Sequence, residues 1–351
     1  MEIVGIFLGP CYINWDENTV KNGMGGSETW AHEISLGLAK RGYEVFLYAY
    51  PEKDHDPYPN YHLVSYEQYF TDIHNKSYDH FIFSRITTPI SPILNCNDVY
   101  MMIHDVCMIT PEQHQKYIGL GIVDKYCYLS DWHKEYLLSL YGDQGLDESR
   151  LYKVSNGYSR EFYQDIKLEN KENSIIWSSS LTRGFNEFYT YIYLPLLKKY
   201  NDIKLYVCCG TIMDTDKDLL NRVRLLPGVC VLDKLSKEQL AEYQKKSSFW
   251  VYPGSFAETF CITSIENAAA GNVLITPLSY GLYTTLKDIG YLHNWDLPIL
   301  DKNNANLYIS LIENMLNDEN IKKNYQMESL RISQNYNWDK ATEDFINLFN
   351  S

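Results

Sequence analysis

Residues 249–276 read FWVYPGSFAETFCITSIENAAAGNVLIT, and this stretch is the most informative about the fold. Its apolar run Phe249–Tyr252 predicts a strand, Thr263–Ala270 predicts a helix, and Val273–Thr276 predicts a second strand. A strand followed by a crossover helix and another strand is typical of a parallel sheet. The stretch therefore predicts an α/β protein with helices packed on a parallel sheet.

The same alternation of short apolar runs and helical patterns extends along the whole chain. In the first half, strands are predicted at Glu2–Gly9, Tyr43–Tyr50, Tyr78–Ser84, Asp98–His104, Lys125–Leu129 and Leu151–Ser155, with helices at Ser27–Arg41 and Asp131–Tyr141. In the second half, further strands are predicted at Ser174–Ser178, Ile203–Cys209 and Val229–Leu232, with helices at Asn186–Tyr200 and Lys237–Lys245.

Length and patterning together predict two domains. The chain has 351 residues, whereas one hydrophobic core usually organises at most roughly 250–300. The polar segment Gln164–Asn173 lacks apolar periodicity and is predicted to be a linker. Two Rossmann-like domains, residues 1–165 and 174–335, are expected, with residues 336–351 forming a terminal amphipathic helix.

Charge and composition exclude several classes of protein. The net charge of −14 argues against a broad contact with nucleic acid or with an anionic membrane, because both need a clustered excess of lysine and arginine. No run approaches the roughly 18 apolar residues of a spanning helix, and the N-terminus lacks a basic leader region. A cytoplasmic protein without a transmembrane segment is therefore predicted, and membrane docking is not expected. The eight cysteines form no C-x-x-C pair and are predicted to be buried thiols.

Four segments carry residues suited to chemistry near the carboxyl ends of strands, where open parallel sheets bind their ligands. They are Asn22–Glu28 (NGMGGSE, with Ser27 as the expected helix cap), His104–Asp105, Ser178–Gly184 (SSSLTRG) and Tyr252–Gly271. Glycines let a backbone approach a phosphate, a histidine can donate a hydrogen bond or shuttle a proton, and an arginine can bind a diphosphate. Each feature also has a plainer explanation: a flexible loop, a histidine bonded to a backbone carbonyl, or a solvated arginine.

Two glutamates in the last segment have a spacing that suits a sugar nucleotide. Glu258 precedes the predicted helix and Glu266 lies about one turn into it. Free N–H groups at the helix start, those of Phe260, Cys261 and Ile262, can hold an anion. Carboxylates beside that anion suit sugar hydroxyls, Glu258 those of a hexose and Glu266 those of a ribose. The structural alternative is an exposed Glu258 and a Glu266 stabilised by the helix dipole.

Glu258–Gly271 (ETFCITSIENAAAG) resembles the donor-site motif of retaining glycosyltransferases of family four. Other pieces resemble that family in sequence and in order: Gly25–Glu28, His104–Asp105, Ser130–His133, Asn156–Gly157 and Ser179–Gly184. The resemblance covers nearly the whole chain. It implies the GT-B fold, an α/β architecture of two Rossmann-like domains facing a central cleft, with a last helix that crosses back to the N-terminal domain.

The resemblance also implies a role for each matching residue. Gly25 and Gly26 match the loop that approaches the phosphate and the transferred sugar, and His104 matches a histidine near that sugar. Arg183 matches a basic contact to the diphosphate, and Glu258 matches the glutamate that binds the sugar. The amides of Thr259, Phe260, Cys261 and Ile262 match those that hold the phosphate and the sugar, and Glu266 matches the contact to the ribose. Two departures are evident. Many relatives carry an arginine and a lysine where this chain has only Arg183, and Cys261 replaces a common glycine.

The implied activity is transfer of a hexose-type sugar, with retention, from a nucleotide-diphosphate sugar to a hydroxyl of a glycan or glycoconjugate. A UDP-sugar is slightly favoured over a GDP-sugar, and no metal or prosthetic group is expected. The D-x-D sequence Asp214–Asp216 is interpreted as a solvated helix cap. The alternatives are a non-hydrolysing nucleotide-sugar epimerase and a non-catalytic nucleotide-sugar-binding homologue. The sequence leaves the sugar, the acceptor and the oligomeric state open, while an incomplete G-x-G-x-x-G argues against a dehydrogenase.

Overall fold

The computed structural model describes residues 1–11, 14–85, 90–108, 118, 121–209, 214–232, 234–292, 295 and 297–351. The described chain forms two compact units. The first unit contains Met1–Gly157 together with Trp338–Ser351, and the second contains Tyr158–Asn337. The predicted alternation of strands and helices is present in both units.

A mostly parallel sheet organises the first unit. Its described strands are β1 (Ile3–Phe7), β2 (Glu44–Ala49), β3 (His55–Tyr58), β4 (Tyr61–Ser65), β5 (Tyr78–Ser84), β6 (Cys96–Met102), β7 (Lys125–Tyr128) and β8 (Leu151–Lys153). Their order is β3-β4-β2-β1-β5-β6-β7-β8, and β3 alone among these eight is antiparallel to its neighbour. Helices occupy Glu17–Lys21, Gly26–Lys40, Tyr69–Asp72, Asp131–Tyr141 and Trp338–Phe349, with 3-10 turns at Tyr66–Gln68, Gly142–Gln144 and Glu148–Arg150. Central strands such as β1 are nearly continuous apolar runs because helices cover both faces of a parallel sheet.

The last helix, Trp338–Phe349, packs on the helix Gly26–Lys40 within the first unit. Gly37 makes this contact close, because a Cβ there would overlap the side chain of Thr342. At the exposed edge, Arg41 Nε donates a hydrogen bond to Glu343 Oε1 over 2.8 Å. A buried glycine and an ion pair thus fix the helix in register.

The sheet of the second unit is parallel throughout its described strands. They are β9 (Glu172–Trp177), β10 (Lys204–Cys208), β11 (Val229–Leu232), β12 (Ser247–Val251) and β13 (Val273–Ile275), in the order β11-β10-β9-β12-β13. Helices occupy Phe185–Phe188, Leu194–Lys199, Asp214–Arg224, Lys237–Lys246, Ile262–Ala269, Gly281–Leu286, Ala305–Asn317 and Glu319–Ser333, with 3-10 turns at Arg160–Tyr163, Leu168–Asn170 and Leu181–Arg183. The strand order reverses direction around β9 and β12, and the loops after these two strands carry Arg183 and Glu258.

The segment predicted as a linker, Gln164–Asn173, belongs to the second unit instead, and the boundary falls after Gly157 rather than after residue 165. Lys171 explains the difference. Its Nζ donates to the carbonyl oxygens of Lys245 (3.0 Å) and Ser247 (2.6 Å) and to Asn272 Oδ1 (2.7 Å). Burial lowers the pKa of Lys171 to about 7. A polar sequence without periodicity is therefore held in the second unit by the hydrogen bonds of a buried lysine.

Other predicted bounds are shifted. The strand predicted at Asp98–His104 runs from Cys96 to Met102, so His104 lies in the loop beyond it. The helix predicted at Asn186–Tyr200 contains a π-helical turn at Tyr189–Tyr193. Among the described residues, none of the helices combines the length and the apolar character needed to cross a lipid bilayer.

Candidate functional site

Glu258 lies in the loop between β12 and the helix Ile262–Ala269, and its side chain is only 8% exposed. The backbone fixes this loop on two sides. The N–H of Glu258 donates to the carbonyl of Phe256 (2.9 Å), and the carbonyl of Glu258 accepts from the N–H of Gly281 (2.8 Å). Gly281 must be a glycine for this approach, because a Cβ there would overlap the carbonyl of Thr259.

Two hydrogen-bond donors meet at one oxygen of the Glu258 carboxylate. Arg183 Nη1 lies 2.6 Å from Glu258 Oε1, and the hydroxyl of Tyr252 donates to the same atom over 2.7 Å. The guanidinium of Arg183 also lies over the ring of Phe256, 4.1 Å from its centre. Predicted site residues 75 positions apart are thus in direct contact.

The ionisation of this cluster follows from its surroundings. Burial alone would lower the pKa of Arg183, but the neighbouring Glu258 raises it overall. Burial raises the pKa of Tyr252, and the Glu258 carboxylate adds to the effect. Both groups therefore stay protonated near neutral pH, and both donate to the same oxygen of Glu258.

Close backbone packing places Arg183 beside this loop. The 3-10 turn Leu181–Arg183 follows β9 and ends at Gly184, whose φ of +101° belongs to the left-handed region. The carbonyl of Arg183 approaches Gly254 so closely that a Cβ at Gly254 would overlap it. Arg183 therefore reaches Glu258 from a turn that is held by glycine on both sides.

Cys261 caps the helix Ile262–Ala269 in a left-handed conformation, with φ 71° and ψ 75°. A residue with a Cβ pays roughly 1–2 kcal/mol for that conformation, which gives a physical reason for the glycine common at this position in the family that the sequence resembles. The carbonyl of Cys261 accepts from the hydroxyl of Ser264 over 2.8 Å. Burial raises the pKa of the Cys261 thiol well above its ordinary value, so the thiol is neutral.

Glu266 lies in the second turn of the same helix, beside the buried side chain of Gln244. Burial raises the pKa of Glu266 to about 7, and Lys237 and Gln244 oppose the shift. The hydroxyl of Tyr163 donates to Gln244 Oε1 over 2.5 Å and thereby orients the amide. A protonated carboxyl and a carboxylate both have acceptor oxygens, so Glu266 can accept a hydrogen bond from a hydroxyl in either state.

The predicted glycine-rich loop opens the helix Gly26–Lys40 in the first unit. Its cap is Gly25, not Ser27 as predicted, and Ser27 lies inside the first turn, where its hydroxyl donates to Glu28 Oε2 over 3.0 Å. A Cβ at Gly25 would overlap the Glu28 carboxylate. Arg85, which the sequence did not indicate, lies 3.3 Å from Ser27 Oγ and 2.9 Å from Asp105 Oδ2.

His104 packs edge-on against Trp30, with ring centres 4.8 Å apart. Burial lowers the pKa of His104 to about 3, and the positive charge of Arg85 contributes. Burial likewise lowers the pKa of His133 to about 4. His104 is therefore neutral near pH 7 and suited to a neutral hydrogen bond rather than to carrying a proton as imidazolium.

The predicted residues thus fall into two described groups. Arg183, Glu258, Thr259–Ile262 and Glu266 lie together in the second unit, whereas Gly25, Gly26 and His104 lie in the first. The sequence missed Tyr252 and Gly281. Tyr252 directly follows β12 and carries a polar hydroxyl, so its place at a strand end could have indicated it. Gly281 is brought to the loop by the fold, and no local sequence pattern indicates it.

No metal site is evident among the residues that the structure describes: no three His, Cys, Asp or Glu side chains are arranged to hold an ion. The helix Asp214–Arg224 begins at the first aspartate of the D-x-D sequence, and the side chains of residues 214–216 lie outside the described set. All eight cysteines are free thiols, and four of them are buried.

No protein-family model matches the chain. No curated protein matches it in sequence either.

Solved structures do match over the full length. The chain is similar to a sucrose-phosphate synthase from Thermosynechococcus elongatus, with a TM-score of 0.71, 14% identity, and coverage of 100% of this chain and 98% of that one. A glycosyltransferase from Rickettsia africae ESF-5 gives a TM-score of 0.72, 14% identity, and coverage of 99% and 98%. HepE from Anabaena, whose structure contains UDP and glucose, gives a TM-score of 0.67, 11% identity, and coverage of 100% of both chains. The predicted α/β GT-B fold is confirmed by these similarities.

Proposed function

We propose that the protein is a retaining glycosyltransferase that resembles family four and moves a hexose-type sugar from a nucleotide-diphosphate donor to a hydroxyl of a glycan or glycoconjugate. The observation that carries the proposal is the buried Glu258, bonded to Arg183 and Tyr252 next to the start of the helix Ile262–Ala269. An acceptor for sugar hydroxyls, a fixed cation and free helix N–H groups then lie side by side. The UDP and glucose in the HepE structure are ligands of that type.

The chemistry requires a bond between the sugar and the phosphate to break while negative charge grows on the leaving diphosphate. We assign stabilisation of that charge to Arg183 and to the amides of Thr259, Phe260, Cys261 and Ile262, because positive groups fixed in advance stabilise developing charge most effectively. Since these groups supply the positive field, the proposed reaction does not depend on a divalent metal. Glu266 would accept from the ribose, and a UDP-sugar remains the favoured donor.

Retention follows, in this proposal, from substitution on one face of the sugar, with the departing phosphate accepting the proton of the attacking hydroxyl. Glu258 would hold the hydroxyls of the transferred sugar. The neutral ring of His104 would position that sugar by a hydrogen bond, and the backbone at Gly25 and Gly26 would approach the phosphate. The proposed location is the cytoplasm.

A thermal-shift panel with UDP, GDP, UDP-glucose, UDP-N-acetylglucosamine and GDP-mannose tests the proposal. A ligand at about 100 times its dissociation constant adds roughly 2.7 kcal/mol of stability, and at least one nucleotide sugar should do so. With that donor and a panel of glycan acceptors, the product should form at an unchanged rate in EDTA, and NMR should show the donor's anomeric configuration in the new bond. Absence of any shift across a wider nucleotide-sugar panel would refute the proposal. Epimer formation without an acceptor would point to the epimerase instead.

A further inference from the structure

Tyr252 is held more rigidly than the other partner of Glu258. Its ring is almost fully buried and stacks on Trp250, with centres 5.1 Å apart and planes 12° apart. Its N–H donates to the carbonyl of Ile275 (2.9 Å), and its own carbonyl accepts from the hydroxyl of Thr276 (2.7 Å). The phenol hydroxyl therefore has little freedom and points at Glu258.

Arg183 is the more exposed partner of Glu258. Its side chain is 34% exposed, and besides Glu258 it contacts the hydroxyl of Tyr252 and the ring of Phe256, which is itself 45% exposed. A diphosphate would compete with Glu258 for this guanidinium, because an arginine binds phosphate oxygens through paired N–H groups. Binding of a donor would then weaken one of the two bonds that hold the carboxylate.

Both described bonds to the Glu258 carboxylate end on Oε1, which leaves Oε2 for a ligand. We propose that Tyr252 is a positioning residue, whose hydroxyl keeps Oε1 in place while Oε2 accepts a hydrogen bond from the transferred sugar. This inference depends on the proposed function and adds to it a residue that acts through Glu258. It implies that Tyr252 matters for the sugar part of the donor and not for the nucleotide.

The test is the Tyr252→Phe variant, which removes the hydroxyl and keeps the stacked ring. Affinities for UDP-glucose and UDP, and for GDP-mannose and GDP, are measured by calorimetry for whichever pair binds the wild type. The variant should bind the nucleotide sugar about 10- to 100-fold more weakly, the effect of losing one hydrogen bond to a charged group, and should bind the free nucleotide as tightly as the wild type. Tyr193→Phe is the matched control, because Tyr193 is equally buried and its hydroxyl bonds only a backbone carbonyl, that of Ile203.

A double-mutant cycle separates positioning from a general loss of structure. In the Glu258→Gln background, Tyr252→Phe should cause little further loss, because the group it positions has already been replaced. Equal weakening of nucleotide and nucleotide sugar, unchanged sugar affinity, or additive losses would each overturn the inference. A wild type that binds no nucleotide sugar would instead refute the proposed function, and the inference with it. Circular dichroism of each variant checks that the fold is intact before the affinities are compared.

Discussion

Replacing Glu266 with glutamine should stabilise the second unit at alkaline pH and have no effect at acid pH. Burial raises the pKa of Glu266 from 4.5 to about 7, so the folded state prefers the protonated carboxyl. Below pH 4.5 the carboxyl is protonated in both the folded and the unfolded state, so it does not reduce the free energy of unfolding. As the pH rises toward 7 the unfolded state releases the proton first, and the free energy of unfolding falls. Above pH 7 the free energy of unfolding is reduced by the full cost of ionising the carboxyl in the folded state.

The size of this cost follows from the gap between the two pKa values. A gap of about 2.5 pH units corresponds to roughly 3 kcal/mol, and partial contact of the side chain with water reduces it, so we expect about 1–3 kcal/mol. For a unit of this size each kcal/mol shifts Tm by about 2–4 °C. Glutamine resembles the neutral carboxyl, and Glu266→Gln should therefore raise Tm by about 2–12 °C at pH 8.5 and leave it unchanged at pH 4.

Differential scanning fluorimetry at pH 4, 7 and 8.5 measures the effect, with Glu187→Gln as a control at an exposed position of the same unit. An equal shift at all three pH values would show that burial of the charge is not its cause. The reasoning would also be refuted by a variant that is less stable at pH 8.5. If Glu266 accepts from the ribose, the same variant should bind UDP more weakly while it melts later, because groups that bind ligands are often placed at a cost in stability.

Three further predictions concern the residues around the proposed reaction. Gly281→Ala should lose about 2–4 kcal/mol of stability and most of its affinity for the donor, because the new Cβ would overlap the backbone at Thr259. Gly290→Ala is the control: its new Cβ would contact only one side-chain atom, at 3.8 Å, so this variant should melt like the wild type. Arg183→Ala should lower kcat by about 100- to 1000-fold, measured at saturating donor, and an unchanged kcat would remove its role in stabilising charge. His104→Asn should lower kcat without changing the shape of the pH profile of kcat between pH 5 and 8, because burial lowers the pKa of His104 to about 3. If the wild type showed a pH-dependent change in kcat between pH 5 and 8 that the variant lacked, the histidine would titrate in that range.

Most strands were predictable because each is a short run dominated by apolar residues. β5, at Tyr78–Ser84, and β11, at Val229–Leu232, begin and end where the sequence predicts them. The hairpin of β3 and β4 was missed, since β3 (His55–Tyr58) is a polar edge strand without an apolar run. A polar edge is common where a strand has one free side, and its sequence then resembles a loop.

The predicted site was recoverable only in part. Glu258 and Arg183 each follow a strand, and the rule that ligands bind at strand ends is enough to single them out. Their contact depends on the adjacency of β9 and β12, which no local spacing reveals. For Cys261, the sequence shows that a cysteine replaces the glycine common in the resembling family. Its left-handed backbone conformation is evident only from the structure.

Backbone contacts, more than side-chain packing, set the positions of Glu258 and Arg183. Gly254 lets the carbonyl of Arg183 approach, Gly184 turns the chain away from it, and Gly281 holds the carbonyl of Glu258 from the other side. Any side chain at Gly254 or Gly281 would push one loop away from the other, and a displacement of about 1 Å can cost 100-fold in rate. A site built in this way derives its precision from the ends of a rigid sheet, which allows a strongly acidic protein to hold one arginine and a few amides where the proposed function places a phosphate.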